Sequence, residues 1–171
     1  MRTQLQLAAV WRVMALTLFT APAVAQPPDA PVSITAFGGV AMAFGPHPAT
    51  GVAIALKPHP GPVSLEFEYL RSRPNPVASG YGIATFAGNI LVQPSRQRSR
   101  FQYYGTLGVG FYSLLRDYQG STDSARNIGG GAKVTLAGPW KLRMDYRAFL
   151  LARTGGEHLA HRFYVGIAAG F

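Results

Sequence analysis

Charged residues recur at two-residue intervals inside stretches that are otherwise apolar. They are Glu66, Glu68, Lys133, Arg143, Asp145 and Arg147. In a β-strand, residues two positions apart point to the same face, so the neighbours in each group would project from one side of their strand. Charges enclosed in a packed interior are costly unless they pair with opposite charges. The pattern therefore predicts an internal ion-pair network formed by these six side chains.

A second set of cations consists of arginines, which make up thirteen of the sixteen basic residues. Several fall where apolar stretches end, at what the topology below makes one end of the molecule. They are Arg71, Arg73, Arg116, Arg126, Arg153 and Arg162. The planar guanidinium binds phosphate bidentately, which lysine cannot do. The sequence leaves two interpretations open: phosphate binding, or generic anchoring at a polar interface.

Residues suited to hydrolytic chemistry are present but scattered. His158 and His161 lie near the start of the final apolar stretch, and Ser121, Asp123 and Ser124 lie together in a polar segment. No motif connects the two groups, and single histidines in polar segments are usually only solvated. We predict no catalytic residues and no enzymatic activity.

Two glycine-rich stretches could suggest nucleotide binding. Residues 129–133 lack the Gly-Lys-Ser/Thr ending of a phosphate-binding loop, and residues 105–110 lack the dinucleotide fingerprint. Glycines in strands allow curvature and close packing, and we expect that role here. The chain has no cysteine, and His47 and His59 lack metal-ligand spacing. We predict neither a cofactor nor a metal site.

The elements that position these residues read as strands. In the final stretch, one face carries Phe163, Val165, Ile167 and Phe171. The length of this stretch matches the ~9–11 residues that a tilted β-strand needs to cross a bilayer. Eight such segments are predicted: Val32–Phe44, Gly51–Lys57, Val63–Arg71, Tyr81–Gln93, Arg100–Tyr118, Asn127–Ala137, Lys141–Arg153 and His161–Phe171. One face of almost every segment is apolar and the other is mixed. This pattern predicts lipid outside and a polar lumen, the inverse of a soluble barrel.

The connections alternate in length along the chain. The second, fourth and sixth are short: Pro58–Pro62, Pro94–Ser99 and Gly138–Trp140. The third, fifth and seventh are longer and polar: Ser72–Gly80, Gln119–Arg126 and Thr154–Ala160. With a periplasmic N-terminus, the short set would form the periplasmic turns and the long set the external loops. The first connection, Gly45–Thr50, is expected to be a tight external turn.

The N-terminal residues 1–25 have the three regions of a cleaved signal peptide. Arg2 and Arg12 provide positive charge, residues 13–19 are apolar, and Ala23-Val24-Ala25 fits the cleavage site. Residues 26–30 would then be a linker and residues 31–171 the folded domain. The formal net charge of +9 is compatible with nucleic acid or an anionic membrane as partner. The absence of a basic helix or a stacking platform from the predicted elements argues against nucleic acid.

Three stretches carry a resemblance to a known family: Asn127–Val134, Trp140–Arg147 and the final strand ending in Phe171. Together they resemble the small outer-membrane protein β-barrel domain family, the eight-stranded OmpA/OmpX-like group. The resemblance implies a location in the bacterial outer membrane, with outer-membrane lipid and lipopolysaccharide as neighbours. It also implies that the barrel-assembly machinery recognises the terminal Phe171. The resemblance gives almost no indication of the activity.

The sequence as a whole predicts an all-β chain that forms a monomeric, eight-stranded antiparallel transmembrane barrel after signal-peptide cleavage. The function that we expect is structural or interactional at the cell surface, with a lumen closed by internal ion pairs. A narrow pore for small solutes is the first alternative. A lipopolysaccharide-modifying enzyme is the second.

Overall fold

The computed structural model describes residues 30–43, 45–73, 82–94, 100–115, 122–153 and 156–171. The predicted signal peptide, and all of the predicted linker except Ala30, lie outside these ranges. Within them, no α-helix has the length and the apolar character that would let it cross a membrane.

Eight strands in chain order form one closed antiparallel barrel. They are β1 Val32–Met42, β2 Pro46–Leu56, β3 Val63–Ser72, β4 Gly82–Val92, β5 Phe101–Leu115, β6 Thr122–Ala137, β7 Trp140–Arg153 and β8 Gly156–Gly170. Each strand pairs with its neighbours in sequence, and β8 pairs with β1 to close the ring, as in the pair Ile34 and Ala169. The predicted fold is confirmed.

The outer surface of the barrel is an exposed apolar band. Leu107 and Val109 on β5 leave 60% and 66% of their surfaces accessible, and apolar side chains at alternate positions of the other strands do the same. Such exposure is unusual in water but suits contact with lipid chains. Closure also provides every strand with a hydrogen-bonding neighbour on both sides, which a lipid environment requires.

The second strand begins earlier than the sequence predicted. β2 starts at Pro46, within the segment expected to be a turn, and Pro48 lies opposite Val40 of β1. The carbonyl of Pro48 accepts a hydrogen bond of 3.3 Å from the backbone nitrogen of Arg73, which follows β3. In an antiparallel strand the N and C=O of one residue point the same way, so the missing N–H of Pro48 faces β3 and costs no bond to β1.

Two predicted external loops are largely strand. β6 begins at Thr122 and pairs Thr122 with Ser113 of β5, while β8 begins at Gly156 opposite Arg153 of β7. Only residues 154–155 separate β7 from β8, so the seventh connection is not one of the long ones. The polar composition of both segments predicts loops. A hairpin that extends beyond the apolar band can carry polar side chains on both faces, so these segments form strands in spite of their composition.

The lumen is not polar throughout, which corrects a further expectation. Its external half contains an apolar cluster of buried side chains from five strands and the residue that follows β1. The buried members are Ala43, Ile83, Tyr112, Ala125, Phe149, Leu151 and Ala160. A barrel of eight strands has an interior just wide enough for side chains to fill it, so these residues pack across the axis as a soluble core would.

Candidate functional site

Below the apolar cluster, the inward faces of β3, β7 and β8 carry three acidic and three basic side chains. They are Glu66, Glu68, Asp145, Arg143, Arg147 and Arg162, and none is more than 3% exposed. Strand alternation places them inside, because their neighbours in sequence point to lipid. We call these six residues the charge network.

The lower part of the network is built around two carboxylates. Glu66 on β3 binds Arg143 on the opposite side of the barrel and also accepts a bond of 2.7 Å from Nη2 of Arg147. Asp145 lies between the two arginines on β7 and accepts bonds of 2.7 Å from Nη2 of Arg143 and 2.9 Å from Nε of Arg147. The amide of Asn89 approaches Glu66 at 3.5 Å. Strands β3 and β7 are thereby connected across the lumen.

The upper part of the network joins β3 to β8. Glu68 pairs with Arg162, and Nη1 of Arg147 lies 3.3 Å from the second oxygen of Glu68. The hydroxyl of Tyr164 donates to Glu68 at 3.1 Å and accepts from Nη2 of Arg147 at 3.0 Å. The Arg162 guanidinium also stacks 4.4 Å from the ring centroid of Phe149, which belongs to the apolar cluster. The network and the apolar cluster are therefore continuous.

Tyr104 forms the lower boundary of the network. Its hydroxyl donates to Asp145 and accepts a bond of 2.7 Å from Nε of Arg143. The inward positions Gly129 and Gly131 on β6 leave the room that these large side chains need. A Cβ at Gly131 would lie 2.8 Å from Cζ of Tyr104, and a Cβ at Gly129 would lie 2.9 Å from Cγ of Arg147. The glycine-rich stretch thus provides space in the lumen.

The network balances three formal positive charges with three negative ones. Desolvation of a single buried ion costs several kcal/mol, so each charge must be compensated locally. Every carboxylate here meets at least two donors from arginine or tyrosine. Such an arrangement suits the mechanical connection of strands and the exclusion of water. It offers no unpaired acid or base for proton transfer.

The structure brings together five of the six residues predicted for the internal network. The sixth, Lys133, lies beneath it, with its ammonium 5.3 Å from the ring centroid of Tyr104. Arg162 was predicted at the external rim, and that prediction is wrong, because Arg162 lies in the lumen bound to Glu68. The strand signal could have shown this, since Arg162 shares the inward face of β8 with Tyr164. Tyr104 and Tyr164 were the functional residues that sequence reasoning missed.

The other rim arginines are divided between described and undescribed parts of the chain. Arg71 and Arg73 at the external end of β3 and Arg126 near the start of β6 are exposed on the outer face. Arg126 lies opposite Val109 and Leu150 of the adjoining strands. Arg153 is the last residue of β7, and Arg116 lies outside the described residues.

The residues considered for hydrolysis do not converge. His161 faces outward from β8, where its Nδ1 lies 2.7 Å from the hydroxyl of Tyr146. Asp123 lies opposite Tyr112 on β5, and His158 lies opposite Leu151 on β7, while Ser121 is outside the described residues. In the described part of the chain, no group of three or more acidic or histidine side chains could hold a metal ion.

The closed ring, the apolar exterior and the packed lumen define an eight-stranded antiparallel β-barrel with the fold of the small OmpA/OmpX-like outer-membrane barrels. No protein-family model and no curated protein matches the sequence. Among solved structures, Neisserial surface protein A has a TM-score of 0.63 at 11% identity, covering 82% of this chain and 96% of that one. The N-terminal barrel domain of Pseudomonas aeruginosa OprF has a TM-score of 0.56 at 14% identity, covering 80% and 96%.

The outer membrane enzyme PagL has a similar fold as well, with a TM-score of 0.50 at 11% identity, covering 81% of this chain and 99% of PagL. A surface protein and an enzyme thus share this architecture. Because one fold accommodates several activities, the similarity establishes the barrel and leaves the activity to be argued from the side chains.

Proposed function

We propose that this protein is a non-conducting, monomeric outer-membrane barrel with a structural or interaction role at the cell surface. The observation that carries the proposal is the neutral charge network, which fills the lumen beneath the apolar cluster. An ion entering from the periplasm meets Tyr104 and Arg143 before it reaches a second barrier of packed apolar side chains. Two successive barriers of different chemistry favour a closed lumen over a narrow pore.

Planar-bilayer recording tests the closed lumen. The wild-type protein should give a low conductance, and the Glu66→Ala/Glu68→Ala variant a higher one, since it removes two carboxylates that hold the arginines across the axis. The Phe67→Ala variant is the control, because Phe67 lies between the two glutamates on the lipid-facing side. Folding of each variant is checked by its heat-modifiable gel shift. A large, steady wild-type conductance would contradict the proposal and favour the narrow pore.

The same proposal assigns the exposed arginines of the external end to phosphate groups of lipopolysaccharide. Arg71, Arg73 and Arg126 are exposed on the outer face. In the proposed placement, the phosphates of lipopolysaccharide lie at the height of these side chains. Arg116 and Arg153 are proposed members of the same set. Arginine at this height can form two parallel bonds to one phosphate.

Binding of purified lipopolysaccharide by detergent-solubilised protein tests this assignment. The Arg71→Gln/Arg73→Gln/Arg126→Gln variant should bind more weakly while remaining folded. Replacement of the same residues by lysine should restore only part of the binding, because lysine binds phosphate as a point charge. Equal binding by the wild type and the glutamine variant would leave generic anchoring as the role of these arginines.

We further propose that Phe171 promotes assembly. Phe171 follows β8 at the periplasmic end, with 68% of its surface exposed, so a membrane-bound assembly machine could reach it. Phe171→Ala should leave less folded barrel in the outer-membrane fraction and more degraded protein. Phe163→Ala, an outward aromatic of the same strand, is the matched control. If the Phe171→Ala variant is inserted as efficiently as the wild type, the proposed role of Phe171 in assembly is wrong.

A further inference from the structure

The periplasmic end of the barrel opens into a cavity of about 510 Å³. Its walls come from the first or last inward positions of the strands and from the turns beside them. They include apolar groups such as Ala55, Ala168 and Pro139, and polar groups such as Ser33, Ser64 and Gln93. The volume lies within the range of small-molecule sites, roughly 300–1,000 Å³. We call this cavity the periplasmic vestibule.

All three lysines of the sequence line this one cavity. They are Lys57 after β2, Lys133 on β6 and Lys141 on β7. No aspartate or glutamate is among the described lining residues. At the opening, the backbone carbonyl oxygen of Phe171 accepts a bond of 3.3 Å from the backbone nitrogen of Val32. The side chains of the vestibule therefore give it an excess of positive charge, which a low-dielectric wall focuses onto the enclosed space.

The vestibule has a ceiling. Tyr104 lies above it, with Lys133 on its ring face and Arg143 and Asp145 on its hydroxyl. Lys141 donates a bond of 3.1 Å to the side-chain oxygen of Gln102 on the neighbouring inward position of β5. A ligand entering from the periplasm would be held between these lysines and would stop at Tyr104. The three acidic side chains of the network are already bound to arginines and do not face it.

We propose that the periplasmic vestibule binds a small amphiphilic anion, with its phosphate or carboxylate group on the lysines and its apolar part against the alanine and proline wall. Lysine ammonium groups and the hydroxyl and amide groups of Ser33, Ser64 and Gln93 supply donors for the anionic end. The apolar part of the wall favours a ligand with a hydrocarbon portion over a bare inorganic ion. The ligand could reach the opening from the periplasm or from the inner leaflet of the membrane.

Isothermal titration of the full barrel with phenyl phosphate tests the site. Phenyl phosphate should bind more tightly than inorganic phosphate, and binding should weaken as salt concentration rises. The Lys57→Gln/Lys133→Gln/Lys141→Gln variant should lose about tenfold in affinity, since each of three ion pairs contributes modestly. The Lys57→Arg/Lys133→Arg/Lys141→Arg variant is the matched control, because it keeps all three positive charges in the vestibule and should bind phenyl phosphate about as the wild type does.

Equal affinity of the wild type and the lysine-to-glutamine variant would overturn the proposal, as would tighter binding of inorganic phosphate. If the triple glutamine variant does not fold, Lys141→Gln alone replaces it and should weaken binding, which the lysine-to-arginine variant should not. Titration in nanodiscs distinguishes the sources of the anion. If lipid headgroups reach the lysines, the wild type should bind phenyl phosphate more weakly in phosphatidylglycerol nanodiscs than in phosphatidylcholine nanodiscs, because phosphatidylglycerol competes for the site. Equal affinities in both nanodiscs would identify a free periplasmic solute.

Discussion

Arg143 on β7 binds Glu66 on β3 with both of its terminal nitrogens, although 77 positions of sequence separate them. Removing either partner leaves the other charged and buried. Arg143→Ala and Glu66→Ala should each lower the free energy of unfolding by about 3–5 kcal/mol. The double variant should lose less than the sum, because the partner of each removed group is also gone. Urea titration in lipid vesicles measures all three, and strictly additive losses would contradict a direct interaction.

Arg162 should behave as an interior residue and Arg71 as a surface residue. Arg162→Gln leaves Glu68 without its closest cation and should cost about 3–5 kcal/mol of unfolding free energy. Arg71→Gln should change it by less than about 0.5 kcal/mol, since the side chain is exposed. The same unfolding titration compares them. Similarly small losses of unfolding free energy for both variants would contradict the interior position of Arg162 and favour a position at the rim.

Gly131 should be intolerant of even one methyl group. Gly131→Ala places a Cβ 2.8 Å from Cζ of Tyr104 and against the backbone of β7, and should destabilise the barrel by about 1–3 kcal/mol. Gly105→Ala on the lipid side of β5 is the control, because no heavy atom lies within 4 Å of the added group. A neutral Gly131→Ala would mean that Tyr104 can move without cost.

A charge on the lipid-facing band should be penalised according to depth. Leu107→Arg near the middle of β5 should cost about 2–4 kcal/mol, while Leu159→Arg near the external start of β8 should cost about 0–1 kcal/mol. Both leucines are outward and similarly exposed, at 60% and 58%. Unfolding in vesicles measures the difference. Equal costs would place the two residues at one depth and contradict the membrane band.

Strand number, strand faces and barrel closure were predictable because they depend on alternation, which is local. Strand ends were less so. Pro46 and Pro48 looked like a turn, yet a proline whose nitrogen points away from β1 does not interrupt that ladder. The starts of β6 and β8 were hidden in polar sequence, because outside the lipid band a strand no longer needs an apolar face.

The candidate site was predictable as a set of inward charges but not as a network. The alternation of a strand shows which face carries Glu68 or Arg147. The partner of each side chain across the axis depends on the register of every strand pair in between, which the sequence does not reveal. Arg162 shows the limit: its strand begins at Gly156, so a residue expected at the end of β8 lies within it. The apolar packing of Phe149 and Leu151 was missed because inward residues had been expected to be polar.

The last strand in the sequence also supplies the last cation of the lumen. Before β8 is in place, Glu66, Glu68 and Asp145 are opposed within the network by Arg143 and Arg147 alone, which leaves one carboxylate in excess. Closing the ring and neutralising its interior are therefore a single event in the order of assembly. A chain interrupted before β8 would keep both an open sheet edge and an uncompensated charge. We expect either feature to leave the chain incompletely folded and open to proteolysis.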